Sequence, residues 1–177
     1  MAGLRPRRSN GPMTQTTALG VAATMGATLT TAMVAGLLFS FAHSVMPGLG
    51  TLDDHDILTA FHRIDAAISN PWMMATFLGS PVLTLAALLL NLPDRSQALP
   101  WLVAALVLTA ATVVVTGAIH LPLNAAIDDA APAFLDADLR SRFQDRWVRW
   151  NVLRTVTSTG ALTALSWALF VSGRSAG

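Results

Sequence analysis

SQALPWLVAALVLTAATVVVTGAIHLPLNAAI, residues 96–127, carries no charged side chain from end to end. About 20 mainly apolar residues suffice for a helix to cross the hydrocarbon core of a bilayer, so this stretch alone is long enough to span one. Working outward, residues 9–52, 66–93 and 155–173 are equally free of Asp, Glu, Lys and Arg. The 177-residue chain is 12% charged and 53% hydrophobic, whereas a soluble domain is about 25% charged. These runs predict an all-α, integral membrane four-helix bundle of up-down-up-down topology. They leave little chain for a soluble domain. The same composition excludes disordered, collagen-like and disulfide-rich classes.

The four spans are expected within Thr17–Val45, Trp72–Leu92, Trp101–Leu121 and Asn151–Val171. Pro71 suits the first turn of the second span, and Trp72, Trp101, Trp147 and Trp150 lie near span ends, as an interfacial aromatic belt does. Met46-Pro47-Gly48 is read as the break that ends the first helix. Between spans one and two, Ile57, Leu58, Phe61, Ile64 and Ile68 recur at helical spacing and predict an amphipathic helix. Before span four, Phe134, Leu135, Leu139, Phe143 and Trp147 repeat the pattern, interleaved with Arg140, Arg142, Asp145, Arg146 and Arg149, and predict a charged helical extension. The organisation is then a disordered tail over 1–15, one transmembrane domain over 16–172 and a short tail over 173–177.

The apolar stretch from Leu19 to Val45 is far longer than the roughly 7–15 residues of a signal-peptide core, so it is expected to stay as a span. Arg5, Arg7 and Arg8 favour a cytoplasmic N-terminus. Four spans return Arg174 and the C-terminus to the same side, and Asp53, Asp54, Asp56 and Asp65 suit the extracytoplasmic side. Cysteine is absent, which removes disulfides, thiolate metal sites and Cys nucleophiles. The arginine cluster is too short for a nucleic-acid surface. Small residues in spans one and three let helices approach closely, within one chain or in a homo-oligomer. The expected partners are therefore membrane lipid and a lipophilic small molecule.

The polar residues left over by this reading gather at one end of the bundle. His43 closes span one. His62 and Asp65 share a face of the amphipathic helix, Asn70 opens span two, and His120 and Asn124 close span three. Trp147, Trp150, Asn151 and Arg154 make a stripe entering span four. Intramembrane polar groups usually face inward and mark sites. His62 with Asp65 could hold a metal or act as an oriented base, or simply be a solvated pair. His120 is a candidate base or a buried neutral imidazole bonded to a carbonyl, the one left unpaired by Pro122. His43, His62 and His120 could together bind iron or copper, although their spacing does not demand it. Arg154 either snorkels to the interface or binds an oxyanion through its planar donors. The midplane of the spans carries no ionisable residue, which argues against a transporter.

Four motifs carry a resemblance: Val45-Met46-Pro47-Gly48-Leu49, then Ile64–Pro71 closing on Asn70-Pro71, then Leu121-Pro122-Leu123-Asn124, and Trp150-Asn151-Val152-Leu153-Arg154. In this order, at successive span ends, they resemble the anthrone oxygenase-like family of small four-helix membrane proteins. The resemblance covers residues 40 to 170. His120 and His62-Arg63-Ile64-Asp65 depart from the commoner pattern, which makes them features of a subfamily. The resemblance implies oxidation of a lipophilic phenolic polyketide by O₂, an anthrone methylene becoming a quinone carbonyl, a tailoring step of secondary metabolism. It implies no cofactor. In that reading His120 or His62 is the base, and Arg154, Asn124 and Asn151 are oxyanion donors. His43, Asp65, Asn70, Trp147 and Trp150 line the substrate site. A metal-dependent oxidase or cyclase of a polyketide or terpenoid, using the histidines, stands as an alternative. So does a small transporter or structural partner that is not an enzyme.

Overall fold

A computed structural model describes residues 15–93, 96–130 and 137–176. Every described element is helical. Helix α1 (Gln15–Ser40) passes through a π turn (Phe41–Val45) into a short α2 (Met46–Leu49). Then come α3 (Asp54–Ile68), α4 (Pro71–Asn91) and α5 (Leu99–Val115). A second π turn (Thr116–His120) joins α5 to α6 (Leu121–Ala130), and α7 runs over Ala137–Ala176. Four segments are long and apolar enough to cross a membrane: Ala18–Leu49, Pro71–Asn91, Leu99–Ala130 and Asp138–Arg174. The protein is an all-α helical bundle of membrane type, with α1, α4, α5 and α7 as its pillars.

Two expectations about helix ends need correction. Met46-Pro47-Gly48 does not break the first helix; the chain stays helical to Leu49. The Met46 amide bonds the Phe41 carbonyl five residues back. One widened turn of this kind absorbs Pro47, which has no N–H to give. Likewise Leu121 donates to Thr116, and the helix runs past Pro122 to Ala130, well beyond the expected end near Leu121. The expected extension before span four is present from Ala137; Phe134 and Leu135 lie outside the described residues. So does the N-terminal arginine cluster.

Local chemistry sets the other boundaries. The Asp53 carboxylate accepts from the Asp56 amide at 2.8 Å and caps α3, whose first turn holds Asp54 and Asp56 against the positive helix end. Asn70 caps α4 by accepting from the Met73 amide at 3.0 Å, with Pro71 next in the first turn. At 1.5 Å per residue, α7 is about 60 Å long, twice the roughly 30 Å hydrocarbon layer. Part of it therefore stands outside the membrane, where it meets α3 and α6.

The interior is layered. Toward the chain termini, Ala27, Ala87, Ala98, Leu102, Ala105, Ala164, Leu165 and Ala168 make a tight core of small residues, as lipid-embedded packing favours. In mid-bundle, hydroxyls meet across helices: Thr31 and Ser80, both buried, at 2.7 Å, and Thr112 and Thr157 at 2.7 Å. At the other end Phe41, Met46, Ile57, Leu58, Phe61, Ile127, Leu139, Phe143 and Trp147 form a larger aromatic core beneath α3. Large exposed apolar side chains such as Leu29, Met33, Leu85, Val107, Val114 and Val156 cover the outside of the pillars. The pillars pack in a ring, and the seam between α4 and α5 is its loosest.

Candidate functional site

Between the hydroxyl layer and the aromatic core lies a cavity of about 290 Å³. One wall is apolar: Leu37 and Leu38 from α1, Met73 and Phe77 from α4, and Val113 from α5. The other is polar: Asp65 from α3, Thr116 and His120 from the second π turn, Asn124 from α6, and Trp147 and Arg154 from α7. Met74, Leu78, Gly117 and Leu121 also line it and are exposed on the outer face of the bundle. The cavity thus reaches the loose α4–α5 seam through side chains suited to lipid.

Arg154 is the centre of the polar wall and only 7% exposed. Its Nη2 donates to Asn151 Oδ1 at 2.9 Å and its Nη1 to Thr116 Oγ1 at 3.2 Å. The guanidinium carbon stands 5.5 Å from the Trp147 ring centre, within cation–π range. Among the described residues its Nε has no hydrogen-bond partner. Among the described residues no carboxylate forms an ion pair with it. Asn151, fully buried, fixes Arg154 from below: its Nδ2 donates to the Leu38 carbonyl at 3.0 Å, near the first π turn. The expected spacing of Asn151 and Arg154, one helical turn apart, thus becomes a direct bond.

A second chain of bonds fixes Asp65. The Trp147 indole N–H donates to Asn124 Oδ1 at 3.0 Å, and Asn124 Nδ2 donates to Asp65 Oδ1 at 2.8 Å. An indole N–H can only donate, so it turns the Asn124 carbonyl toward itself and the NH₂ toward Asp65. Burial, and then the like charge of Asp128, raise the Asp65 pKa from its ordinary value. The charges of His62 and Arg154 and the bond from Asn124 oppose this without cancelling it.

His120 is 1% exposed and packs edge-on to Trp147 with ring centres 5.1 Å apart. Its Nδ1 is 3.5 Å from the Val115 carbonyl, a long contact, and among the described residues its buried Nε2 has no hydrogen-bond partner. The carbonyl that His120 meets is therefore that of Val115, the last residue of α5, and not one freed by Pro122.

Of the ten residues expected at the site, His120, Asn124, Asp65, Trp147 and Arg154 line the cavity, and Asn151 stands directly behind Arg154. Four do not join them. His43 is exposed, its Nδ1 2.7 Å from the Phe39 carbonyl and its ring stacked on Phe39. Asn70 spends its amide on capping, accepting from Met73 and donating to Ala67. Trp150 is half-buried away from the cavity. His62 lies at an exposed edge with Nδ1 2.8 Å from Asp128 Oδ1. His43, His62 and His120 are consequently not brought together as metal ligands. Among the described residues, no three His or acidic side chains form a group that could hold a metal ion. Sequence reasoning missed Thr116, Gly117 and Asp128. Asp128 had one signal, its position one helical turn after Asn124.

The family model described as anthrone oxygenase matches residues 71–164. The chain belongs to the anthrone oxygenase family. The matched region of this anthrone oxygenase family member holds His120, Asn124, Trp147, Asn151 and Arg154, and begins after α3, so that His62 and Asp65 lie outside it. No curated protein and no solved structure matches the chain significantly.

Proposed function

We propose that this protein oxidises a flat, lipophilic phenolic ketone of the anthrone type with O₂, within the membrane-level cavity. The observation that carries the reading is Arg154: a buried cation, tethered on two sides, at a cavity with one apolar wall, and with no ion-paired carboxylate among the described residues. A buried charge without an ion pair is costly, and an anionic ligand would relieve it. Removing a methylene proton from an anthrone gives an aromatic enolate whose charge rests on oxygen, the species a fixed guanidinium stabilises. Such a preorganised donor is worth about 10²–10³ in rate.

The reaction balances without an added reductant, because the substrate supplies the electrons. A base takes one methylene proton, the carbanion adds O₂, and protonation gives a hydroperoxide. Loss of the second C–H proton and of hydroxide leaves the quinone carbonyl and one water. This chain's contribution is to bind the flat ring system against Phe77 and Trp147, to hold the oxyanion at Arg154, and to accept the proton. Asn151 and Thr116 keep the guanidinium in place, and His120 faces the same space. The lipid-exposed rim at the α4–α5 seam suits entry of a poorly water-soluble substrate from the bilayer. The arginine bias favours cytoplasmic termini, which would put the cavity near the extracytoplasmic surface.

The test is direct. The purified protein in lipid nanodiscs is supplied with unsubstituted anthrone and air, and both O₂ uptake and anthraquinone are measured. The expected result is one O₂ consumed per quinone formed, faster than the uncatalysed autoxidation. A rate equal to that background removes the proposal. Metal analysis of the same sample, with and without a chelator, separates it from a metal-dependent oxidation.

A further inference from the structure

Resting on that reading, we infer that Asp65 is the base that takes the substrate's methylene proton. The geometry separates it from the two histidines. His62 stands outside the cavity, bound to Asp128 at the exposed edge. His120 lines the cavity, but its partnerless Nε2 is a buried atom. Asp65 lines the cavity, is half-buried, and has one carboxylate oxygen committed to Asn124. Among the described residues its other oxygen, Oδ2, carries no hydrogen bond, and it is not one of the sealed, unsatisfied atoms. The Trp147–Asn124 relay orients the committed oxygen and leaves Oδ2 free to accept a proton.

The charges around Asp65 fit this role. Asp65 and Arg154 line one cavity without forming an ion pair. A substrate lying between them places its carbon acid toward the carboxylate and its oxygen toward the guanidinium. The proton moves from carbon to the Asp65 carboxylate, and the electron pair stays with the ring system as the enolate. The charged and titratable groups facing Asp65 are His62 on α3, Asp128 on α6 and Arg154 on α7, with His120 on the same cavity wall; α1 and α4 present none. Burial and the neighbouring Asp128 charge make Asp65 more basic than an ordinary carboxylate, which suits proton abstraction near neutral pH.

Proton transfer can be read apart from oxidation. Under argon, in D₂O buffer, the nanodisc protein is incubated with unsubstituted anthrone, and deuterium entering the methylene is measured by mass spectrometry. The wild type accelerates exchange over buffer. Asp65→Asn loses about 10²–10⁴ of that acceleration, and Asp65→Glu recovers part of it. Asp65→Asn is not expected to unfold the protein, because it removes a carboxylate that burial disfavours and its amide carbonyl can still accept from Asn124. Asp128→Asn stays active and moves the acid-side inflection of the exchange rate to lower pH, since it removes the like charge that raises Asp65. Wild-type-like exchange in a folded Asp65→Asn, or loss in His120→Gln with Asp65→Asn unaffected, overturns the assignment while the oxidation reading stands. A wild type that neither exchanges nor oxidises anthrone overturns both.

Discussion

Arg154→Met should separate activity from stability. Methionine keeps much of the side-chain volume and removes the charge. The cost is the pair of hydrogen bonds to Asn151 and Thr116 and the stacking over Trp147. Thr116 keeps its own bond to the Thr112 carbonyl at 2.8 Å, so it is not orphaned. Asn151 Oδ1 is orphaned in a fully buried position, worth about 1–3 kcal/mol, and the lost cation–π contact adds about 0.5–2 kcal/mol. Against this, replacing a buried charge by a packed apolar group is often neutral or favourable by about 1–4 kcal/mol. These terms nearly cancel. The net change should lie within about 2 kcal/mol, a shift of about 4–8 °C in unfolding midpoint for a chain of this size. Catalysis has no such compensation, since an oxyanion donor lost costs about 2.7–4 kcal/mol, or 10²–10³ in kcat. The assay pairs anthrone-dependent O₂ uptake with thermal unfolding followed by tryptophan fluorescence. A variant that unfolds on purification would make Arg154 a structural residue. One that keeps most of its activity would remove the oxyanion role. Arg154→Lys, a point charge without the planar fork, should fall between.

Two further outcomes follow from other parts of the fold. A Cβ at Gly117 meets nothing within 4 Å, so Gly117→Ala should behave as wild type in rate and stability. Gly117→Phe should plug the seam-side of the cavity and abolish turnover without lowering the unfolding midpoint; unchanged KM and kcat in that variant would place substrate entry elsewhere. At the outer end, Arg140 fastens the loop before α3 to α7, donating to the Gly50 and Leu52 carbonyls at 2.9 Å each, to Asp54 at 2.8 Å and to Gln144 at 2.9 Å. Arg140→Ala should cost about 1–3 kcal/mol, as charged hydrogen bonds do, discounted at the exposed Asp54 end. Urea or thermal unfolding measures it, and a change below about 0.5 kcal/mol would show the clamp to be idle.

The four pillars were legible because a helix in water keeps charges on its solvent face, whereas one in lipid must shed them over its whole crossing. The polar wall was legible in part: Asn151 and Arg154 are one turn apart on a regular helix, so their shared face follows from the 3.6-residue period. His43 was misplaced for the complementary reason. It lies inside a π turn, and one extra residue rotates everything beyond it by about 100°, so the period no longer tells which way it points. The prolines misled at the same two places. Met46-Pro47-Gly48 was read as a break and the third span was ended at Leu121, just before Pro122, yet widened turns precede both prolines and the helices continue. Asn70 was read as a site residue when its sequence neighbour, Pro71, already marked it as a cap. The His62–Asp128 pair joins α3 to α6 across 66 residues, a non-local meeting that no spacing rule predicts.

The two π turns also explain why the cavity sits where it does. A lipophilic carbon acid needs an apolar wall to dissolve against and a fixed cation for its anion, and its proton must finally reach water. These needs pull toward different depths. Had α1 and α5 ended at the membrane surface, their terminal carbonyls would have been solvated and the polar wall would have lain in the open. Here both helices continue past the lipid-facing layer under the cover of α3. At that level the Leu38 carbonyl is taken by Asn151 and the Val115 carbonyl meets His120. Backbone carbonyls just before the widened turns thereby orient the side chains of the polar wall. Arg154 is held by Asn151 within the fourth long apolar segment, and Asp65 hangs from α3 at the edge nearest the exposed His62–Asp128 pair. Under the proposed reaction, the negative charge develops on the dry side of the cavity and the proton leaves on the wet side.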